Sequence, residues 1–509
     1  MSTRLLIVMA HPRKDSYCGA LADAYKQGAA QSGAQIRELV LADEHFDPNV
    51  TGISPRDQPT EDCIRKAQEL INWAEHLVFV YPGWWGTMPA LLKGFFDRVF
   101  MPGYAFNETE HPGQYEQLLR GRTAHLLVTM DTPSWVYRLI YRQPGHNAMK
   151  RSTLGFCGIG PVRVSTFGPV KGSAAETREH WLQQARQAGA DLPRWLETVA
   201  IRRKLSAWLA MLRLQFYPMT FIAYTIGALA AAAHTGIFNY AVFWLCYVCI
   251  FLMEALTVFS NEYFDFASDC VNKNAGPFTG GSRVLVDGRL NFTELRTGAA
   301  ITALLLLAAG VSLFQVVSTL SVSEMMVLLL VAAVMTLGYT VPPIKLVYRG
   351  LGEINVGITH SFLVILCGYA FQSGVWTASY PWLISIPLCL ATLPAIILSA
   401  IPDHDADQAA GKRTLAVLLG PHTAAVVAGV CAVLAAASAV LLRQRGLMPL
   451  PVGNLIYLTL PHAAWLVLGI RRYINQGEAC RRIDGLMAKS LTFVLWFGIV
   501  PLLDLLFRT

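Results

Sequence analysis

From about Leu205 onward the sequence is a succession of apolar segments of roughly 20 residues each, and this feature limits the C-terminal three-fifths to a bundle of membrane-crossing helices. Hydrocarbon offers no water to backbone N–H and C=O groups, so a segment that crosses it must satisfy them internally. The segments fall at 214–233, 236–259, 298–317, 325–342, 354–378, 381–402, 421–442, 451–470 and 486–503, nine in all.

The charges of this region sort by side. Lys273, Arg283 and Arg289, then Lys345 and Arg349, then Lys412 and Arg413, then Arg471, Arg472, Arg481 and Arg482 occupy alternate short loops. The opposite loops carry few charges apart from Arg443 and Arg445. The positive-inside rule places the basic loops and the N-terminus in the cytoplasm and the C-terminus on the far side, in the cell (inner) membrane. The net charge of +7 therefore belongs to loops between spans; no basic helix occurs, and no nucleic-acid partner is expected. Cys246 and Cys249 form a C-x-x-C inside an apolar span and read as small buried hydrophobes.

Residues 1–200 follow another pattern. Short apolar runs at Leu5–Met9, Ile36–Leu41, Leu77–Tyr81, His125–Met130 and Val162–Phe167 alternate with helical stretches at Gly19–Ser32, Glu61–Ala74, Pro89–Phe100 and Ala174–Ala188. The first run ends in polar residues instead of a small-residue cleavage site, so the domain is expected to stay cytoplasmic. Such alternation predicts an α/β doubly wound parallel sheet, whose ligands bind beyond the carboxyl ends of the strands. Three loops matter accordingly, those after Met9, Tyr81 and Met130. The first, with His11, Ser16, Tyr17 and Cys18, runs into a helix N-terminus suited to phosphate. The second, Pro82-Gly83-Trp84-Trp85-Gly86-Thr87, offers aromatics and glycines to a flat ring. The expected division is a sheet domain at 1–190, a linker at 191–206 with the cluster Arg202-Arg203-Lys204 facing anionic lipid, and a membrane domain at 207–509.

Two loops at span ends on the basic side carry acidic motifs. Asn261, Asp265 and Asp269 are spaced by four, as are Asp403 and Asp407, so each set shares one helix face. Carboxylates at the end of an apolar span are costly unless paired or bound to a cation. Two clusters of hard oxygen ligands suit Mg²⁺ bridging to phosphate oxygens. Arg283, Lys345, Lys412 and Arg413 lie in the same loops as phosphate partners. The alternative is surface acids paired with neighbouring lysines and arginines. Glu254, seven residues before Asn261, shares its face at greater depth; it either orients and deprotonates a phenolic acceptor or is bonded within the bundle.

Two resemblances follow. His11 with Ser16, and the run Trp84-Trp85-Gly86-Thr87-Met88-Pro89-Ala90-Leu91-Leu92-Lys93-Gly94-Phe95-Phe96-Asp97-Arg98-Val99-Phe100, resemble the flavodoxin-like NAD(P)H:quinone oxidoreductases. This implies a flavin, usually FAD with FMN as the alternative, its phosphates near His11, Ser16, Tyr17 and Cys18 and its ring along Pro82 to Thr87 with Thr129 nearby. It also implies NAD(P)H as co-substrate and a homodimer through this domain, with Tyr137 matching a family tyrosine beside the flavin. The loop Thr129-Met130-Asp131-Thr132-Pro133-Ser134 departs from the glycines of many members. Asn261-x3-Asp265-x3-Asp269 and Asp403-x3-Asp407 with Gly411-Lys412-Arg413-Thr414 resemble the UbiA superfamily of intramembrane aromatic prenyltransferases. Gly338-Tyr339-Thr340-Val341-Pro342-Pro343-Ile344-Lys345 resembles its dihydroxynaphthoate or naphthoquinol branch. Glu262 stands where many relatives have aspartate.

The resemblance implies Mg²⁺ on Asn261, Asp265, Asp269, Asp403 and Asp407, a prenyl diphosphate held with Arg283, Tyr339, Lys345, Lys412 and Arg413, and an aromatic quinol or naphthoate acceptor within the lipid bilayer. A quinone is a poor nucleophile and its hydroquinone a good one, so the first domain is expected to make the acceptor the second consumes, as in menaquinone-like synthesis. The rivals are a transporter or channel regulated by a flavin- or nucleotide-binding domain, and a flavin-free scaffold.

Overall fold

The computed structural model describes residues 2–53, 57–109, 115–272, 274, 276, 278–477 and 483–508; Lys273, Arg481 and Arg482 lie outside the described residues. Two compact units divide the chain, Met1–Arg202 and Arg203–Thr509.

The first unit carries strands β1 (Arg4–Met9), β2 (Gln35–Val40), β3 (His76–Pro82), β4 (Phe106–Glu108), β5 (Tyr115–Gln117), β6 (Thr123–Thr129) and β7 (Val162–Phe167). Its helices are α1 (Tyr17–Gln31), α2 (Asp62–Trp73), α3 (Ala90–Val99), α4 (Ser134–Leu139), α5 (Pro144–Asn147) and α6 (Ala175–Ala190). Five strands form one parallel sheet in the order β2-β1-β3-β6-β7, the doubly wound arrangement expected. Every residue of β3 and β6 is buried, because helices cover both sheet faces, and this explains why apolar residues occupy most positions of both strands without alternating. The β4–β5 hairpin, α4 and α5 are too short to leave a periodic signature, and the sequence pattern does not announce them.

In the second unit each of the nine apolar segments has a helical counterpart. Among the described residues seven helices, from Tyr240–Phe264 to Asp484–Leu506, are long and apolar enough to cross a membrane. Tyr217–Thr235 passes the same test jointly with Leu192–Leu212, from which it is bent by 53°. Val322–Leu337 is shorter, because Gly338 and the Pro342–Pro343 pair end it before the expected residue 342. The helix Leu192–Leu212 takes in nearly all of the 191–206 segment.

Small residues bring the spans together. A Cβ on Gly227 would lie 2.0 Å from Ile365 O and one on Gly368 would lie 2.2 Å from Tyr224 O, so these two glycines let the Tyr217–Thr235 and Gly352–Ser373 helices touch at the backbone. Pro421–Gln444 buries an alanine face, including Ala424, Ala428, Ala432, Ala435 and Ala439, within the same core. Cys246 and Cys249 are buried free thiols in that core.

Candidate active site

The acidic motifs sit where long helices give way to short ones. Tyr240–Phe264 ends, Asp265 intervenes, and a short helix runs from Phe266 to Val271. The helical bonding still continues, with Asp265 N–H donating to Asn261 O at 2.8 Å and Asp269 N–H to Asp265 O at 2.9 Å. Asn261, Asp265 and Asp269 thus keep the common side that their spacing predicts. Asp403 precedes the short helix His404–Ala409, and Asp407 N–H donates to Asp403 O at 2.8 Å.

All five of these residues line one cavity of about 630 Å³, together with Tyr339, Lys412, Glu254 and Glu262. Its deeper walls are apolar, with Ile250, Met253, Leu363, Leu388 and Leu495 among them. Lys412 joins the motifs: its Nζ lies 3.1 Å from Oδ1 of Asp265 and 3.1 Å from Oδ1 of Asp407. Asp403 accepts from Asn272 Nδ2 at 2.7 Å and from Gly280 N–H at 3.2 Å. Thr340 Oγ1 donates to Asn261 Oδ1 at 2.6 Å, and Ser282 N–H to Glu262 Oε1 at 2.6 Å. Gly281, at φ +71°, lets its loop approach so closely that a Cβ there would lie 2.6 Å from Asp269 Oδ2.

Negative charge is in excess here. Burial, then the neighbouring carboxylates Asp265 and Glu262, pushes Asp269 up to about 7. Burial and Asp407 push Asp403 up to about 6. Burial alone would lower the Lys412 pKa, but Asp265 and Asp407 outweigh it and hold the ammonium charged. Among the described residues no three His, Cys, Asp or Glu side chains converge on one point to cage an ion. The donors nevertheless fit Mg²⁺, which takes one or two carboxylates and fills its octahedron with water and phosphate oxygens. Asp265 Oδ1 supports the fit: it is buried, with the Lys412 ammonium 3.1 Å away and no aligned hydrogen bond among the described residues.

Three of the expected phosphate partners do not line the cavity. Arg283 turns its Nη1 to Asp269 O at 3.1 Å and Asn272 O at 3.3 Å, bracing the loop. Lys345 lies over the Tyr348 ring at 4.7 Å, and Arg413 is exposed. Arg213 does line the cavity. It occupies the bend before Tyr217–Thr235 with φ 53°, and Glu262, Asp403 and Asp269 counter the burial that lowers its pKa. No motif surrounds it; its one sequence signal is a lone cation at the start of the first span.

In the first unit, contacts join all three sheet-edge loops. His11 meets Trp84 edge-on at 5.8 Å, Cys18 Sγ lies 3.3 Å from Thr129 Oγ1, and Gly83 N–H donates to Thr129 O at 2.6 Å. Ser16 caps α1, accepting from Gly19 N–H. Tyr17 turns away, its hydroxyl donating to Arg178 O at 2.7 Å. Trp85 is fully exposed with φ 53°, followed by Gly86 at φ 75°. Tyr137 donates to Gly86 O at 2.8 Å and accepts from Gly145 N–H at 3.0 Å, and His146 packs on its ring at 4.9 Å. His146, invisible in the sequence pattern, thus joins Tyr137 beside the aromatic loop. Pro82, Gly83, Trp84 and Gly86 form a backbone ledge beside the α1 N-terminus, a fit to a flat ring joined to phosphate.

Comparison with known proteins agrees with both halves. A family model for a flavodoxin-like fold matches residues 3–190, and one for the UbiA prenyltransferase family matches residues 220–482, just over half of the chain. An uncharacterised NAD(P)H oxidoreductase of Escherichia coli is 38% identical over 115 residues, 21% of this chain and 57% of its own. The chain thus spans little more than half of that relative's length. The 2-carboxy-1,4-naphthoquinone phytyltransferase of Synechocystis is 29% identical over 289 residues, 55% of this chain and 87% of its own. Among solved structures, an NAD(P)H:quinone oxidoreductase from Methanothermobacter marburgensis matches 38% of this chain and 98% of its own at 24% identity, with a TM-score of 0.34.

Proposed function

Because the chain belongs to the UbiA prenyltransferase family, we propose that this multi-pass membrane enzyme transfers a prenyl group from an allylic diphosphate to an aromatic hydroquinone that its own flavodoxin-like domain supplies by reducing a quinone. The observation that carries the reading is the cluster of Asp265, Asp269, Asp403 and Asp407 around Lys412 at one end of a cavity with apolar walls.

Asn261 and the four aspartates are the residues to hold Mg²⁺, and the bound ion would neutralise the diphosphate and stabilise the pyrophosphate as it leaves. Lys412 and Arg213 bring positive charge to the same end of the cavity and assist that departure. Tyr339, half-buried and lining the same cavity as Lys412, helps orient the leaving group. The apolar wall excludes water, which would otherwise trap the allylic cation. Arg283 acts by positioning the backbone around Asp269.

In the first unit, Ser16 with the α1 N-terminus would hold flavin phosphate, and the ledge from Pro82 to Gly86, with Tyr137 behind it, would hold the ring. FAD or FMN, once bound, would pass hydride from NAD(P)H to the quinone. The name of the Synechocystis protein, a 2-carboxy-1,4-naphthoquinone phytyltransferase, supports a naphthoquinone-type ring and a place in menaquinone-like synthesis. The basic loops support an active site and an N-terminal domain on the cytoplasmic side of the cell membrane, and the domain class supports pairing through the flavodoxin-like unit.

Purified protein given a naphthoquinone, a prenyl diphosphate and Mg²⁺ under anaerobic conditions should yield prenylated product only when NAD(P)H is added. Equal yield from the quinone without reductant would overturn the coupling.

A further inference from the structure

Two helical turns below the aspartates the same cavity has a second polar site. Glu254 lies seven residues before Asn261 on one helix, about 10 Å deeper by helical rise. Its carboxylate lines the cavity and is only 16% exposed. Thr220 Oγ1 donates to Oε1 at 3.1 Å, and His360 Nε2 lies 3.8 Å from the same oxygen. Among the described residues no donor bonds Oε2. His360 Nδ1 faces Val356 O at 3.1 Å, an arrangement that turns Nε2 toward the carboxylate. A π-helical turn, Thr359–Leu363, presents this imidazole, and such turns recur at functional sites. Beside the pair stands Tyr217, buried and lining the cavity, whose hydroxyl has no hydrogen-bond partner among the described residues.

Ionisable groups inside a membrane span are costly and are retained where they meet a substrate or a partner. A glutamate bonded only for structure would have both oxygens satisfied by the bundle. Here one oxygen is held and the other remains for a ligand, beside an imidazole and an unpartnered phenol. The depth also matters: a ring whose reacting carbon meets the prenyl carbon near the aspartates, with a hydroxyl directed inward, reaches toward Glu254.

We infer that Glu254 and His360, with Tyr217, form the acceptor site, in which Oε2 of Glu254 takes the hydroxyl proton of an aromatic diol and Tyr217 fixes the ring. The inference rests on the prenyl-transfer reading and adds how the nucleophile is held and activated. The allylic C–O bond breaks with its electron pair going to pyrophosphate, while the electron pair of the deprotonated hydroxyl feeds through the ring into the new C–C bond. Glu254 then returns its proton to the ring oxygen, and the hydrogen displaced from the ring carbon departs as a proton on the pyrophosphate. His360 holds the carboxylate in place and is a positioning residue.

The test uses the full chain in detergent, a chemically reduced naphthoquinol as acceptor and a prenyl diphosphate with Mg²⁺, so that reductase activity does not enter. Glu254→Gln should lower kcat at least 100-fold with the KM for diphosphate unchanged, and Tyr217→Phe should raise the KM for quinol about tenfold. The monomethyl ether that lacks the inward hydroxyl should be a poor acceptor for the unaltered protein, and Glu254→Gln should cost little more with it. His360→Gln should lower kcat less than Glu254→Gln does. Glu254→Gln that melts with the unaltered protein yet keeps its kcat would overturn the inference, as would equal losses with quinol and both ethers. No product from the unaltered protein would overturn the prenyl-transfer reading, and the inference with it.

Discussion

The Lys412 ammonium stands 3.1 Å from Oδ1 of Asp265, so a residue of the second acidic loop neutralises a residue of the first. The same ammonium reaches Asp407 at 3.1 Å, and its side chain is 9% exposed. Replacing one partner of a buried ion pair leaves uncompensated charge and costs about 3–5 kcal/mol. Lys412→Met should therefore reduce prenyl-transfer kcat by about 100-fold and raise the KM for diphosphate. Lys412→Arg should recover only part, because a planar fork does not replace a point charge set between two carboxylates. Steady-state transfer of a labelled prenyl group measures both, and wild-type kcat in Lys412→Met would contradict the assignment.

Metal removal should separate the two halves. The carboxylates that fit Mg²⁺ belong to the membrane cavity, so a chelator should abolish prenyl transfer and leave NAD(P)H-dependent quinone reduction intact. Added Mg²⁺ should restore transfer. Asp269→Asn should need a higher Mg²⁺ concentration for half-maximal rate, read from a Mg²⁺ titration. Equal Mg²⁺ dependence in the variant would remove Asp269 from the ligand set.

Tyr137 bonds two strands of backbone at once, Gly86 O and Gly145 N–H. Gly145 N–H also donates to Gly86 O at 3.0 Å, so Tyr137→Phe orphans neither group and costs about 0.5–1.5 kcal/mol. Because Gly86 belongs to the ledge proposed for the flavin ring, flavin affinity should fall about tenfold, a loss of roughly 1.4 kcal/mol. Fluorescence titration of the apoprotein with FAD and FMN measures the change and ranks the two flavins.

The sheet was legible because its strands are short apolar runs set between helical stretches, too short for helices of the core, and the runs from Leu5 and Val162 mark real strands. The acidic motifs were legible because spacing by four is a helix face, and the bonds from Asp265 to Asn261 and from Asp269 to Asp265 carry that face across a helix break. Arg213 and His360 were not legible. Each is set by a local backbone departure, a left-handed φ for Arg213 and a π-helical turn for His360, and neither leaves a periodic trace. Lys345 stands in the expected loop, yet its ammonium lies over the Tyr348 ring and does not line the cavity.

The first unit should lose stability in mild acid. His76 is 1% exposed, with Nδ1 2.7 Å from Thr123 Oγ1 and Nε2 3.4 Å from Tyr25 Oη. Burial, with a smaller contribution from the Arg163 charge, lowers its pKa to about 3, and His125 is lowered for the same reasons. The unfolded imidazole takes a proton below about 6.5 while the folded one stays neutral, so the unfolded chain binds more protons as the pH falls. The stabilisation is complete above about pH 6.5 and declines below it, and at pH 5 His76 alone should remove about 2 kcal/mol. Urea unfolding of the full chain at pH 7 and pH 5, followed through the β3 and β6 amides by hydrogen exchange, measures the loss. His76→Gln, uncharged at both values, should be less stable at pH 7 yet lose about 2 kcal/mol less than the unaltered protein between the two. An identical pH dependence in the variant would show that His76 is charged in the folded state.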